Sequence, residues 1–469
     1  MTTGKNMLRQ KVYSFPRGGI SFEDNSVPSR ASCITAFLPS LSVIPLIQHT
    51  GGRSFPIVSV GEMVKEGMLI GRGQGPGSAN VHATVPGRVI RLASWKNAGG
   101  EARDGLVIRM EGSFEKLGKR PELFPWESML PYDIQRNILD FGVVEMEGGG
   151  RPVSEILSSF RSAPEPITLV VRCVFDDPWL AADYVLCRER AKAIAEGAAI
   201  TACTCRASRI VYAVSQKEKE LGEELLTAGA KWGMPSSTVL VGSRYPQRNR
   251  RELELVLRNY GKKEGVELGS LLVLGPATLA AIYDAVRIRK PVLERYIAVG
   301  GSAVKQPKVL KVRLGTRIRE VFAECGGFKG TPRIIASGSP LLGQPIADLD
   351  EPVVKTTYAV FALLEGFNRG RLEYGNQNGC ISCGECRNVC PVGLDPEELY
   401  KRTLIDTNGD SYQYKEAGKA SVTSAAKASQ DWKSEIYSFA CHGCGCCELV
   451  CPSSLPLSTA IKSGFLKEN

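Results

Sequence analysis

The sequence predicts a multidomain α/β chain that ends in an α-helical, ferredoxin-type domain, and three observations carry that prediction. Near the C-terminus the run C-x-x-C-x-x-C-x-x-x-C-P occurs twice, as Cys380, Cys383, Cys386, Cys390-Pro391 and as Cys441, Cys444, Cys447, Cys451-Pro452. In the middle, short β-branched runs (ITLVVR, RIVYAV, STVLVG, SLLVLG) alternate with helical stretches such as PWLAADYVLCRERAKAIAEG and QKEKELGEELLTAGAK, the pattern of a largely parallel sheet. Toward the N-terminus, residues 43–92 break into short strands, with Gly51, Gly61, Gly67, Gly71 and Gly87 at turn-like positions.

The repeated cysteine run is the bacterial two-cluster ferredoxin pattern. Three thiolates in one tight loop face one corner of an iron–sulfur cube. The fourth, expected at the start of a helix leading away from that loop, reaches the other cube. This crossing predicts one [4Fe–4S] cluster on Cys380, Cys383, Cys386 and Cys451, and a second on Cys441, Cys444, Cys447 and Cys390. The proline after each fourth cysteine ends the ligand run and suits a turn or a helix start. Structural zinc is the plainer use of four cysteines, but zinc pairs usually come as separate C-x-x-C units without the middle cysteine or the C-P. Cys446, beside Cys447, reads as a packed neighbouring thiol ahead of a ligand, with an exchange into the ligand set as the alternative. Two cubes with crossed ligands make this end of the chain an electron wire.

The 469 residues leave room for about three or four domains. A hydrophobic content of 43% supports their cores. There is no run of 18 apolar residues to span a membrane, and MTTGKNMLRQKVYSF lacks the apolar core of a secretory signal. Of the fifteen cysteines, eight fall in the motifs. The others (Cys33, Cys173, Cys187, Cys203, Cys205, Cys325 and Cys446) are scattered, which fits a reducing cytoplasm better than a disulfide framework. A net charge of +10 has a plain reading, solubility, and a functional one, an acidic partner: a ferredoxin-like protein, another subunit or an anionic membrane face. The densest basic run, Arg244 to Arg251 (RYPQRNRR), is short and has no interleaved aromatics, so nucleic acid is not an expected partner.

In the N-terminal strands, V-x-x-G-x-x-V-x-x-G-x-x-I-G followed by V-x-A-x-V-x-G-x-V resembles the barrel-sandwich hairpins of biotinyl and lipoyl domains. Those carry a modified lysine at the tip. Here the tip, RGQGPGSANVH, has none, so the reading is an all-β docking module rather than a swinging arm. His49 and His82 read as hydrogen-bond partners ahead of ligands. In the middle domain, Asp177 and Pro178 form an N-cap and first-turn pair. The loop from Phe141 to Pro152 is glycine-rich, but Glu145 and Glu147 put negative charge where a phosphate would sit, so by itself it reads as a structural turn. After Pro291, strands, a glycine turn and an amphipathic helix suggest a small β-grasp module. TYAVFALLEGF reads as a helix leading into the clusters, and the polar stretch from Asp406 to Asp431 as an enlarged surface loop plus helix.

Taken together, these segments resemble RnfC, the peripheral subunit of the Rnf ion-translocating ferredoxin:NAD oxidoreductase, over nearly the whole chain. FPRGGI (Phe15 to Ile20), QHTGG, VGEMVKEGMLIG with ANVHATVPGRV, DPWLAADYVL, ERYIAVGGSAVKQPKVLKVRLGT, GSPLLG and both cysteine motifs carry the likeness. The resemblance implies a barrel-sandwich over residues 1–108 and an α/β domain like the NADH- and FMN-binding subunit of complex I over 109–290. It further implies a β-grasp (SLBB-like) module over 291–368 and the two-[4Fe–4S] ferredoxin domain over 369–469. It also implies partners among the other Rnf-type membrane subunits and a ferredoxin or ferredoxin-like subunit, with a peripheral place on the cytoplasmic side of the plasma membrane.

In the family, hydride passes from NADH to FMN and single electrons then enter the clusters. Several of this chain's residues depart from that pattern. The flavin loop G-x-x-G-x-G-G-A-G-F-P keeps only Gly142, Gly148, Gly150 and Pro152, with Glu145, Glu147 and Arg151 in place of two glycines and the phenylalanine. E-C-E-P becomes Phe175, Asp176, Asp177, Pro178, leaving Asp177 as a weak cofactor-site candidate. Y-P-Q-G-G-E-K becomes Tyr245, Pro246, Gln247, Arg248, Asn249, Arg250, Arg251, and N-x-G-T appears with Gly275 and Ala277. A glutamate where the backbone should approach a phosphate both fills the space and repels the ligand. The expectation is a flavin and nucleotide site that is altered or gone beside an intact wire. Three function classes follow: an electron-transfer subunit fed by a small carrier, an NADH- and FMN-dependent redox subunit (or a soluble relay serving another reductase), and a scaffold held together by its clusters.

Overall fold

The computed structural model describes residues 11–22, 28, 30–49, 51–96, 102–115, 118–339, 342–364, 379–408 and 440–464. Alternating apolar residues give the N-terminal strands one dry face, and two small antiparallel sheets close over it. One orders strands Leu41–Pro45, Ala102–Met110, Gly87–Lys96 and Met63–Val64; the other orders Ser54–Pro56, Leu69–Gly73 and Val81–His82. Ile44, Ile70, Val89, Leu106 and Ile108 fill the space between them. The hairpin tip between Leu69–Gly73 and Val81–His82 packs down on the middle domain. Gly77 N donates to Glu155 Oε1 at 2.5 Å and Asn80 Nδ2 donates to the Asp140 carbonyl at 3.3 Å. Lys355, 2% exposed, donates from Nζ to the carbonyls of Asn80 and Gly142, both at 2.8 Å. His82 is buried and stacked on Phe141; burial and the Lys355 charge push its pKa down to about 3, so the ring is neutral. His49 packs against Gly150.

The middle domain is built on a parallel sheet ordered Val12–Tyr13, Ser236–Val241, Arg209–Ser215, Ile167–Cys173 and Ser270–Leu274. Its helices are α1 (Pro131–Asp140), α2 (Val153–Arg161), α3 (Ala181–Cys205), α4 (Lys219–Gly229), α5 (Arg250–Glu264) and α6 (Pro276–Arg287). Strand residues alternate between the two faces: Leu169, Val171 and Cys173 pack on the side of α3 and α6, and Val170, Val211 and Val239 on the side of α5. As expected, the Asp177 carboxylate caps the turn that leads into α3, accepting from Trp179 N at 2.9 Å.

The next sheet orders strands Gln344–Pro345, Ile334–Ser337, Ala359–Leu363, Glu294–Gly300, Lys308–Arg313 and Cys33–Thr35, with α7 (Ile318–Glu324) beside it. Ala359–Leu363 corrects the helix expected for TYAVFALLEGF. All five residues are buried and the strand is paired on both sides, so the run carries no alternation to set it apart from a buried helix. The N-terminal segment supplies an edge strand to each of two sheets, Val12–Tyr13 and Cys33–Thr35.

The C-terminal domain repeats one unit: α8 (Glu385–Asn388) with α9 (Pro396–Asn408), then α10 (Cys446–Val450) with α11 (Leu457–Gly464). The fourth cysteines do not start helices, contrary to expectation. Cys390 and Cys451 follow the short helices and enter Pro-led turns, and the next helices begin five or more residues on, because each proline lacks the N–H that would continue a helix. Most of the polar 406–431 stretch, from residue 409 on, lies outside the described residues.

Candidate functional site

The two halves of the cysteine domain bend the backbone alike. Left-handed residues follow at matching positions: Ser382 (φ 53°) and Gly443 (φ 62°), Gly384 (φ 77°) and Gly445 (φ 76°), Gly393 (φ 70°) and Ser454 (φ 52°). These turns aim main-chain N–H groups at sulfur. Ser382 N reaches Cys380 Sγ and Gly443 N reaches Cys441 Sγ, both at 3.4 Å, and Leu394 N reaches Cys390 Sγ at 3.2 Å. Such donors favour the more negative, reduced state of an iron–sulfur centre.

The cysteines ring two cavities. One is lined by Cys380, Cys383, Cys386 and Cys451 with Leu455 and Leu457; the other by Cys390, Cys441, Cys444 and Cys447 with Cys446 and Ile461. Each cavity therefore takes three cysteines from one motif and the fourth from the other. Among the described residues, no three Cys, His, Asp or Glu side chains converge on one point as a lone metal ion requires. Four soft sulfur donors around an apolar-walled space, with N–H groups turned toward them, fit a [4Fe–4S] cube.

The second cavity faces the middle domain. Tyr245 Oη donates to the Cys444 carbonyl at 2.6 Å. Tyr245 also pairs through its backbone with Ile20, in both directions, at 2.8 and 2.9 Å. Cys446, fully buried, packs in the same cluster as Tyr245, with Ile20 and Phe22, and also lines the second cavity beside Cys447. His442 Nδ1 contacts the Glu252 carboxylate near the start of α5. Gly18 (φ 62°) lies so close beneath the Cys390 carbonyl that a side chain there would collide with it, and Gly19 N donates to the Val389 carbonyl at 2.8 Å. Sequence reasoning missed this clamp of Gly18, Gly19, Tyr245, Glu252 and His442, although FPRGGI was a visible signal. The first cavity lies farther out: Cys383 is exposed and Ile381 beside it is 64% exposed.

The loop that carries Tyr245 runs on into the cleft where the family pattern expects a flavin. Arg248 N donates to Asp176 Oδ2 at 2.8 Å, and its guanidinium reaches Asp183 Oδ2 at 3.3 Å. The Arg172 guanidinium lies between the Glu147 carbonyl (3.3 Å) and the Arg248 carbonyl (3.5 Å). Burial, helped by Arg248, lowers the Arg172 pKa to about 10. Burial also pushes Asp176 up to about 7 and raises Glu145 and Asp183.

Glu147 decides what the cleft can hold. Its Oε1 accepts from Ala277 N at 2.6 Å and from Thr278 N at 3.1 Å, and its Oε2 accepts from the Thr278 hydroxyl. These are donors of the first turn of α6, where a phosphate would be held. Gly148 and Gly150 remain on the loop, but a side chain at Gly148 would come 2.6 Å from the Glu145 carboxyl carbon. Gly142 (φ 66°) serves the Lys355 contact. The retained candidates Gly142, Gly148, Gly150 and Asp177 thus shape the loop and a helix cap around a filled site. The residues present do not fit FMN.

Family models match the chain in series: the RnfC barrel sandwich hybrid domain over residues 14–113, the Nuo51 FMN-binding domain over 138–284, the SLBB domain over 296–344 and the 4Fe-4S dicluster domain over 376–455. The C component of the ion-translocating oxidoreductase complex of Rhodobacter capsulatus is 32% identical over 393 residues, covering 82% of this chain and 74% of the relative. The chain belongs to the RnfC family. The C component of the proton-translocating ferredoxin:NAD(+) oxidoreductase complex of Clostridium ljungdahlii is 28% identical over 391 residues, covering 82% of this chain and 83% of that protein. Among solved structures, an NAD+-reducing [NiFe]-hydrogenase in the H2-reduced state aligns with a TM-score of 0.47 at 14% identity, covering 74% of this chain and 65% of that one. The family has the multidomain α/β architecture expected, with an iron–sulfur domain at the C-terminal end. Among the described residues no helix is long and apolar enough to cross a membrane.

Proposed function

We propose that this protein is the electron-transfer subunit of an RnfC-type, ion-translocating oxidoreductase and passes single electrons through two [4Fe–4S] clusters. Cys380, Cys383, Cys386 and Cys451 hold the outer cluster; Cys441, Cys444, Cys447 and Cys390 hold the inner one. The observation that carries this reading is the pair of cysteine-lined cavities, each holding three cysteines of one motif and the fourth of the other. When bound, the clusters supply one-electron storage. The chain's own part is to aim N–H donors at the sulfurs, wall the cavities with Leu394, Leu455, Leu457 and Ile461, and press the inner loop onto the middle domain through Tyr245. The exposed Ile381 and Cys383 mark the outer face as the contact for a ferredoxin-like carrier, and the net charge of +10 suits an acidic one. The subunit sits peripherally on the cytoplasmic face of the membrane complex, against its other subunits.

The test is to purify the chain anaerobically and follow the visible cluster absorbance and the electron paramagnetic resonance signal on adding reduced ferredoxin. Bleaching with a two-cluster signal, slowed by salt, supports the relay. A chain that carries no cluster, or clusters that ferredoxin leaves oxidised, refutes it. The match to the Nuo51 FMN-binding domain over residues 138–284 favours a second reading, NADH oxidation through FMN.

A further inference from the structure

We propose that Glu147 is a built-in anion at the α6 N-terminus, so that this middle domain holds no flavin mononucleotide and its clusters are reduced by single electrons from an iron–sulfur protein. The second half rests on the relay reading; the first stands on the cleft alone. Three independent features support it. The Glu147 carboxylate already takes the Ala277 and Thr278 N–H groups and the Thr278 hydroxyl, while Thr278 Oγ1 accepts in turn from Met146 N at 2.9 Å. Loop and helix are thus bonded to each other from both sides. Gly275, where the helix begins, packs directly against the Glu147 side chain. The opposite wall is occupied too, with the Arg248 side chain held by Asp183 and its backbone by Asp176.

The buried polar atoms left over in this cleft point the same way. Among the described residues, Asp176 Oδ1, Asp183 Oδ1, Arg172 Nε and both amide atoms of Gln247 are buried without a hydrogen-bond partner. Two of the three acceptors are carboxylate oxygens. The other two atoms, Arg172 Nε and Gln247 Nε2, are donors, and a set of two donors and three acceptors is one that water, which both donates and accepts, satisfies. In the proposed step one electron leaves a reduced iron–sulfur donor and one cluster of this chain gains it. No proton or hydride changes hands, so no two-electron cofactor is needed between them.

The experiment uses the full chain with its clusters in place. Equilibrium dialysis against FMN should leave no stoichiometric flavin on the wild type, and adding NADH with FMN should leave the cluster absorbance unchanged. Stoichiometric retention of FMN, or bleaching by NADH, would overturn the proposal. Inorganic phosphate then probes the helix terminus. It should raise the thermal midpoint of Glu147→Gly, where the donors are released, and leave the wild type unmoved. An equal response in both, or none in either, would show that Glu147 is not the occupant. If the glycine variant does not fold, Glu147→Ala, which also takes the acceptor away from the Ala277 and Thr278 N–H groups, takes its place in the same comparison. Reduction of the clusters by dithionite reports on the relay separately, so a failure there is distinguishable from a failure of the cleft proposal.

Discussion

Exchange of the fourth cysteine makes a sharp prediction about which residues share a cluster. Cys390 lies in the first motif but lines the cavity of Cys441, Cys444 and Cys447, and Cys451 lies in the second motif but lines that of Cys380, Cys383 and Cys386. A chain with both [4Fe–4S] clusters carries about eight irons, and losing one ligand set removes about four. Cys390→Ala and Cys444→Ala should each leave about four irons, and the double variant should also leave about four, because both changes empty the same cavity. Pairing Cys390→Ala with Cys383→Ala should instead remove nearly all iron. The cavities also differ in what their loss does next. The inner loop presents the Cys444 carbonyl to Tyr245 at 2.6 Å, a hydrogen bond with a net worth of about 1 kcal/mol. Emptying the inner cavity should therefore also loosen the C-terminal domain from the middle domain and speed proteolysis between them, while emptying the outer cavity should not. The assays are iron analysis and the paramagnetic resonance of the dithionite-reduced chain, in which interaction between two nearby reduced clusters gives way to the simple signal of one. If Cys390→Ala and Cys383→Ala remove the same irons, and Cys390→Ala and Cys444→Ala remove different ones, the crossed assignment is wrong.

Two further perturbations test how the clusters and domains are held. Tyr245→Phe removes the hydroxyl on the Cys444 carbonyl; the bond is worth about 1 kcal/mol in all and only the part that favours the reduced state moves the potential, so the inner cluster's midpoint should fall by less than roughly 40 mV and the outer one stay unmoved. A redox titration that shows no shift, or a shift in the outer cluster, contradicts that. Lys355 is held by two carbonyls, with no carboxylate paired to it among the described residues, and burial lowers its pKa from 10.5 to about 7. Between about pH 7 and 10 the unfolded chain therefore binds more protons than the folded one, and stability gains up to about 1.4 kcal/mol per pH unit from this residue. The neighbouring His82 stays neutral throughout that range. Lys355→Met leaves the Asn80 and Gly142 carbonyls unpaired, so the gap in thermal midpoint between wild type and variant should widen from pH 7 to 9; a constant gap would mean that the lysine keeps its proton in the fold.

The parts of this architecture that were legible in the sequence are those whose information is local. Cysteine spacing within a loop determines which sulfurs turn to the same point, and the crossing follows once two such loops are present. The four β-branched runs of the middle sheet each became a strand because flanking turns and intervening helices bounded them. Legibility failed where the deciding partner lay far along the chain. Ala359–Leu363 reads equally well as helix or strand until the strands on either side of it are known. Val12–Tyr13 is too short to carry a pattern and is a strand only because Ser236–Val241 offers it an edge. FPRGGI showed two glycines, and their purpose appears only beneath the Cys390 carbonyl. Glu147 is the most instructive case. Read alone, glycine replaced by glutamate on a phosphate loop is a loss that buries an unpaired charge. In the fold, the donors of α6, encoded about 130 residues later and suited to an anion by the exposed N–H groups of any helix start, already face that carboxylate. In the fold the Glu147 carboxylate is therefore a paired anion rather than a charge buried alone.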